Sequence, residues 1–351
     1  MIDVVPLFGP PGPDRDRVDR AIADAAGESG VLTIAGPSEL VPTAASTRDA
    51  MLAVFALSDA SQHSLWRNFY EPSNANVYRG WSPRSSDVGV DIYDLGPDVV
   101  PDRPGWAASN DDPLLGSTPL PPPSELPRWR ETVAAYYLAM ELLGEAFMRS
   151  VARCVGIDGH HFDAAFTGGI STLRLMRYEL SPADPTLDSA GEPDMPRRGE
   201  HVDSGFVTLL CQHGVAGLAV KLRSGEWVEV PPVDGHIAVN FGGLLERWTE
   251  GRFRATPHRV ISHGTTRFSI PFFYEPRADA MIEPLPLEGS AAFEPFTYGD
   301  HVWAAMSKFP NFTGIADLRT PRGVGGERPG PATARPSGAE LPTGEVDWID
   351  R

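Results

Sequence analysis

The chain has only two cysteines, Cys154 and Cys211, in 351 residues. Each lies in an apolar stretch, which excludes a disulfide framework and reads as a pair of buried free thiols, the usage of a reducing cytoplasm. No run reaches the ~18 apolar residues that a membrane span needs. The opening MIDVVPLFGPPGPDRDR lacks the basic segment and the long apolar stretch of a secretion signal. Positive charge is also short: 30 Lys and Arg stand against 47 Asp and Glu, a formal net charge of -17. So acidic a protein is repelled by nucleic-acid phosphates and by anionic lipid. A small molecule is therefore the expected partner, and a soluble, cytoplasmic location the expected setting.

What is present is ordinary globular material, 41% hydrophobic and long enough for one large domain or two small ones. Ile2 to Leu7 reads as a strand, Arg15 to Ala26 as a helix with Val18, Ala21, Ile22 and Ala25 on one side, and GVLTIAG as a second strand, so the chain opens β-α-β. Ser46 to Phe69 reads as a further helix, and residues 78–105, rich in Gly, Pro and Asp, as irregular chain. Trp129 to Val155 carries Val133, Tyr136, Tyr137, Met140, Leu143, Phe147 and Val151 at helical spacing, which predicts a long helix backing the core.

From Ser171 the texture changes to short β-type runs, TLRLMRYEL, FVTLLCQ, LAVKL, EWVEVP, HIAVNFG, HRVIS and RFSIPFFYEP, separated by turn residues. That pattern predicts a sandwich or barrel. A polar insert at 181–199, a last helix at His301 to Lys308 and a Pro-, Gly- and Arg-rich tail complete the chain. The expected organisation is an N-terminal α/β region over 1–170, a β core over 171–312 and a tail over 313–351, partly disordered by its composition.

Chemistry concentrates in the β region. In HVDSGFVTLL, His201 and Asp203 stand two apart, so on a strand both project to one face and converge. Alone, such a pair is as consistent with a strand-end hydrogen bond as with a metal site. His258, in RATPHRVIS, supplies a third group at the head of another β-type run. Two imidazoles and a carboxylate make the facial triad that holds non-haem Fe(II) with positions left open. The other histidines, His63, His160, His161, His213, His236, His263 and His301, sit at turns, caps or surface-type positions. In RFSIPFF, Arg267 and Ser269 share one strand face against Phe268, Ile270 and Phe272 on the other. An arginine pointing into a β core needs an anion, either a ligand carboxylate held in a bidentate grip or an internal Asp or Glu.

HVDSGFVTLL, NFGGLLERWTEGRFRATPHRV and RFSIPFFYEP together resemble the catalytic half of the isopenicillin N synthase-like family of Fe(II)- and 2-oxoglutarate-dependent oxygenases, and the similarity extends over residues 1 to 312. The resemblance implies a mainly β fold, a double-stranded β-helix or jelly roll backed by helices. It implies His201, Asp203 and His258 as iron ligands, with Arg267 and Ser269, helped by Tyr178, binding the distal carboxylate of 2-oxoglutarate. The implied activity uses O2 to oxidise a small molecule of secondary metabolism by hydroxylation, desaturation or cyclisation, releasing succinate and CO2. Arg177, Glu179 and the 181–199 insert depart from the family pattern on the substrate side. Two alternatives stand beside this reading. One is a 2-oxoglutarate-independent oxidase of the isopenicillin N synthase type, with Arg79 near the place of a substrate-holding arginine. The other is a non-catalytic binding protein on the same fold. Arg79, Trp81, Phe206 and Phe241 are the candidate substrate residues, though these aromatics, like Trp248, suit a core as well as a pocket; the segment around Arg79 and Trp81 and that from His301 to Phe312 are the candidate cover for the site.

Overall fold

A computed structural model describes residues 1–36, 40–84, 89–103, 106, 108–109, 111–179, 199–261, 264–287, 293–309, 312 and 314–323. Most of the 181–199 insert, His263 and most of the tail lie outside the described residues.

The chain opens with a short strand Ile2–Asp3 (β1), helix Pro13–Glu28 (α1) and strand Val31–Ala35 (β2), and β1 pairs parallel with β2 as a β-α-β unit requires. Helices Ala45–Leu52 (α2) and Asp59–Ser64 (α3), strands Gly80–Ser82 (β3) and Val90–Leu95 (β4), and the long helix Trp129–Val155 (α4) follow. After a short helix Asp163–Phe166 (α5) come strands Thr172–Tyr178 (β5), Val207–His213 (β6), Leu218–Lys221 (β7), Trp227–Val230 (β8) and His236–Phe241 (β9). Helix Gly243–Trp248 (α6), strands His258–Val260 (β10), Arg267–Tyr274 (β11), Met281–Ile282 (β12) and Phe296–Thr297 (β13), and helix Tyr298–Met306 (α7) complete it.

Eight strands form one sheet in the order β1-β2-β9-β6-β11-β5-β4-β3, and three form a second, β10-β7-β8. The first sheet has two distinct faces. On one, Tyr93 stacks on Trp129 of α4 at 6.0 Å and Phe272 meets Tyr137 of α4 edge-on at 5.0 Å, so alternate residues of β4 and β11 pack against the long helix. By the same alternation Thr172, Arg174, Met176 and Tyr178 of β5 lie on the other face, beside Arg267 and Ser269 of β11 and Gln212 of β6. This inner face looks toward the three-stranded sheet, and Leu210, Leu218, Val220 and Ala238 pack between the two. The arrangement is the jelly roll expected, with α4 filling its outer face as its apolar stripe predicted: Val133, Tyr137, Met140, Leu143, Phe147 and Val151 are fully buried.

Four local expectations are corrected. The single helix over 46–69 is broken: α2 runs through a 3-10 turn, and Ser58 caps a new helix by accepting from the Ser61 amide at 3.3 Å. Residues 78–105 contain β3 and β4, which join the main sheet; their charged side chains are buried in ion pairs. The N-terminal region thus shares one sheet with the β core. The strand expected over Ile2 to Leu7 covers only Ile2–Asp3, and Val5–Phe8 forms a 3-10 turn. His201 and Asp203 precede β6 and lie outside any named strand, His201 being held by an isolated bridge to His258. Both cysteines are free, Cys211 buried. Among the described residues no helix is long and apolar enough to cross a membrane.

Candidate active site

The bridge between His201 and His258 is reciprocal. Each backbone amide donates to the other's carbonyl, at 3.0 and 2.9 Å, and this sets the imidazoles side by side with ring centres 4.3 Å apart. Asp203 enters from the loop before β6. Its carbonyl accepts from the Gly243 amide at 2.7 Å, and Phe206 accepts from Gly242 at 2.7 Å, so the start of α6 pins the loop. Only glycine fits there, because a Cβ on Gly242 would stand 2.2 Å from the Gly205 carbonyl oxygen. His301 adds a further tether, its Nε2 lying 2.9 Å from the Ser204 carbonyl.

Asp203 Oδ1 sits 3.7 Å from His201 Nε2 and 3.6 Å from His258 Nε2. Donors sharing one ion at ~2.1 Å each are at most ~4.2 Å apart, so both spacings from Asp203 suit a single cation, and all three donor atoms lie within 4.8 Å of one another. Among the described residues this is the one such cluster of His, Cys, Asp and Glu. The outer contacts prepare the donors. His201 Nδ1 lies 2.8 Å from the Gly199 carbonyl and His258 Nδ1 lies 3.1 Å from that of Thr256, so each Nδ1 carries the proton and each Nε2 presents its lone pair. The His201 side chain is 40% exposed. Partial desolvation, with His258 beside it, lowers its pKa and favours the neutral ring that metal binding requires. Thr208 donates to Asp203 Oδ2 at 2.7 Å, turning Oδ1 toward the histidines. Thr208 was missed in the sequence because a threonine in a strand has an ordinary β role. Thr208→Val is expected to weaken Fe(II) binding ~10- to 100-fold, read by anaerobic metal titration; an unchanged affinity would mean that the backbone alone orients Asp203.

Arg267 is 1% exposed on the inner face. Its Nη2 reaches Gln212 Oε1 at 3.3 Å, while Nε and Nη1 have no hydrogen-bond partner among the described residues. Gln212 is itself oriented by donating to the Val230 carbonyl at 3.0 Å. Burial holds the guanidinium below its usual pKa, as expected of a cation without its counterion. Among the described residues no Asp or Glu hydrogen-bonds its free donors, although the charge of Glu229 acts on it. Tyr178 faces Arg267 across the β5–β11 pairing, its ring centre 5.2 Å from the guanidinium carbon, and Ser269 lies two residues along on the same face. Gly217, at φ +141°, leaves room for the arginine, since a Cβ there would stand 3.2 Å from Arg267 Cδ.

The four candidate substrate residues are placed elsewhere. Trp81 pairs with Tyr93 on the helix-backed face, wholly buried, with Phe55 edge-on at 5.0 Å. Phe206 packs against Phe166, Trp248 and Tyr298, and Phe241 against Phe253. All three are core aromatics, as is Trp248, because spacing could not say which face of the sheet each would take. Arg79 is buried, donating to Thr172 Oγ1 and, at 2.6 Å, to the Ile170 carbonyl, so its guanidinium is held by the protein. Arg177, one of the departures from the family pattern, lies on the helix-backed face paired with Asp91 at 2.9 Å, and Glu179 pairs with Arg84 at 2.6 Å.

A jelly roll carrying two imidazoles and a carboxylate at its mouth, with a buried and unsatisfied arginine on the same inner sheet, defines a metal-dependent oxygenase. Residues 172–276 match the 2OG-Fe(II) oxygenase superfamily. The chain is 29% identical over 309 residues to isopenicillin N synthase of Streptomyces clavuligerus, covering 86% of this chain and 92% of that one. It is 32% identical over 234 residues to the 2-oxoglutarate-dependent dioxygenase citB of Monascus ruber, covering 60% and 67%. Its fold matches that of a full-length Neurospora crassa protein crystallised in complex with alpha-KG, with a TM-score of 0.72 at 22% identity over 87% of this chain and 94% of that chain. The chain belongs to the 2OG-Fe(II) oxygenase superfamily and is an oxidoreductase of the dioxygenase class, with Fe(II) and 2-oxoglutarate as its cofactor and co-substrate.

Proposed function

We propose that the enzyme couples the oxidation of a small organic molecule to the oxidative decarboxylation of 2-oxoglutarate, with His201, Asp203 and His258 holding Fe(II) and Arg267, Ser269 and Tyr178 holding the far carboxylate of the co-substrate. The observation that carries this reading is Arg267: a buried guanidinium with free donors needs an anion, and a dicarboxylate supplies one while its other end reaches the metal. When bound, iron and 2-oxoglutarate supply the oxidising power, and 2-oxoglutarate leaves as succinate and CO2.

The protein's own part is placement. The two imidazoles and the Asp203 carboxylate would hold the metal through Nε2, Nε2 and Oδ1. Gln212 and the Tyr178 ring orient the arginine that would receive the far carboxylate of the co-substrate. The test is succinate formation by the purified protein with Fe(II) and O2. It is expected to require 2-oxoglutarate absolutely and to proceed slowly even without substrate. Substrate oxidation at full rate without 2-oxoglutarate would favour the isopenicillin N synthase-type alternative, and metal binding without any turnover a receptor.

A further inference from the structure

The inner face of β4 and β5 carries a second buried arginine cluster at the end opposite Arg267. Along β5 the inward residues run Tyr178, Met176, Arg174, Thr172, and Arg174 stands ~13 Å from Tyr178 at ~3.3 Å per residue. Across the pairing, Asp94 faces Arg174 and Ile92 faces Met176, so a short apolar floor separates the two charged ends. Arg174 grips Asp94 with two bonds, at 2.6 and 2.9 Å, and Arg67 donates to the same carboxylate.

One carboxylate therefore serves two guanidinium groups, Arg67 fully buried and Arg174 partly so. Beside them, the buried Arg79 reaches Glu275 through Thr172 Oγ1. The free donors are on Arg67: its side chain is 1% exposed, and Nε and Nη1 have no partner among the described residues. The buried Ser82 hydroxyl on β3 faces the Tyr70 hydroxyl, and Arg67 adjoins the same tyrosine. Phe312 covers the flat face of Arg67, its ring centre 4.1 Å from the guanidinium carbon.

This cluster lies on the metal side of the molecule. Phe309, one turn before Phe312, packs edge-on to His201 with ring centres 6.3 Å apart, so the segment that covers Arg67 also borders the metal group. With 2-oxoglutarate reaching the metal from the Arg267 end, the substrate is left the other end of the row.

We propose that the substrate is an organic acid whose carboxylate is received by Arg67, with Ser82 as a second donor and Arg174 as supporting charge. The proposal rests on the reading of the metal and 2-oxoglutarate sites given above. Asp94 positions the two arginines, and the apolar floor of Met176 and Ile92 carries the body of the acid toward the metal. Buried donors built for a carboxylate discriminate strongly against a neutral analogue, which leaves the cation unpaired.

The test uses the full chain, anaerobic and saturated with Fe(II) and 2-oxoglutarate, and a series of acids with their matching primary amides: benzoate and benzamide, phenylacetate and phenylacetamide, hexanoate and hexanamide. Binding is read by calorimetry and by the shift in melting temperature. At least one acid is expected to bind ~30-fold or more tightly than its amide. Arg67→Gln should erase that preference while leaving Fe(II) and 2-oxoglutarate affinities unchanged. If Arg67→Gln does not fold, Ser82→Ala provides the second variant, with an expected ~10-fold loss in the acid-to-amide ratio. Acids and amides binding alike, or not at all, would overturn the proposal, as would a preference that survives both variants. Failure of the wild-type protein to take up Fe(II) and 2-oxoglutarate would instead count against the underlying reading.

Discussion

Asp203→Ala is expected to weaken Fe(II) binding by well over ~100-fold, more than the loss of an outer partner of a metal ligand costs, and to abolish succinate formation and substrate oxidation together. The carboxylate is the one anionic donor of the three and stands between the two imidazoles, 3.6 and 3.7 Å from their Nε2 atoms. Without it two imidazole ligands remain, and an imidazole brings no negative charge to offset that of the metal. Folding should survive, because the loop is held chiefly through backbone groups of Asp203, Ser204 and Phe206, the carboxylate adding only its bond from Thr208. Anaerobic metal titration, with circular dichroism as a check on the fold, measures both expectations. Stoichiometric iron retained in a folded Asp203→Ala protein would place the metal elsewhere. The gradation against Thr208→Val matters: that variant keeps the ligand and loses only its orientation, so its defect in affinity should be the smaller.

The parts of the molecule legible in the sequence are those where pattern and burial agree. The α4 stripe is continuous and apolar over its whole length, and the strands after Ser171 are bounded by turn residues, so both were readable from periodicity alone. β3 and β4 were not, for a physical reason: Ser82, Asp91 and Asp94 are polar residues that the fold buries, the two aspartates against Arg177, Arg174 and Arg67, and local composition marks such residues as loop. The partners that make them tolerable come from elsewhere in the chain and are invisible to a short sequence window. The same blindness hid the Arg67 cluster and misplaced Trp81, Phe206 and Phe241. The metal group was legible because its residue types and order are chemically rare in combination. Its local setting was not: the ligands sit on a bridge and a loop held by α6, so convergence arises from the His201–His258 pairing and the close contact of Gly205 with Gly242, and not from strand alternation.

Arg267→Ala should separate co-substrate binding from metal binding. Truncating one partner of a buried charge-assisted pair typically costs ~2–5 kcal/mol, or ~30- to ~4,000-fold in affinity, and the expected result is a rise of that order in the 2-oxoglutarate concentration needed for half-maximal succinate release. Fe(II) affinity should stay within ~3-fold of wild type, since Arg267 makes no contact with the triad: its side-chain bond is to Gln212, on the neighbouring strand β6. The unliganded proteins should respond in the opposite sense. Burial disfavours a guanidinium whose Nε and Nη1 are unpaired, so removing it relieves a desolvation cost and offsets part of the packing lost along its stem. Arg267→Ala is therefore expected to melt near the wild type without ligand, and to lose most of the stabilisation that 2-oxoglutarate confers on the wild type. Arg267→Lys provides the finer measure. It restores a positive charge without the planar fork, so it should recover part of the affinity, and the recovered fraction divides charge from geometry. Equal 2-oxoglutarate requirements in wild type and Arg267→Ala, with metal binding intact in both, would remove Arg267 from the co-substrate site.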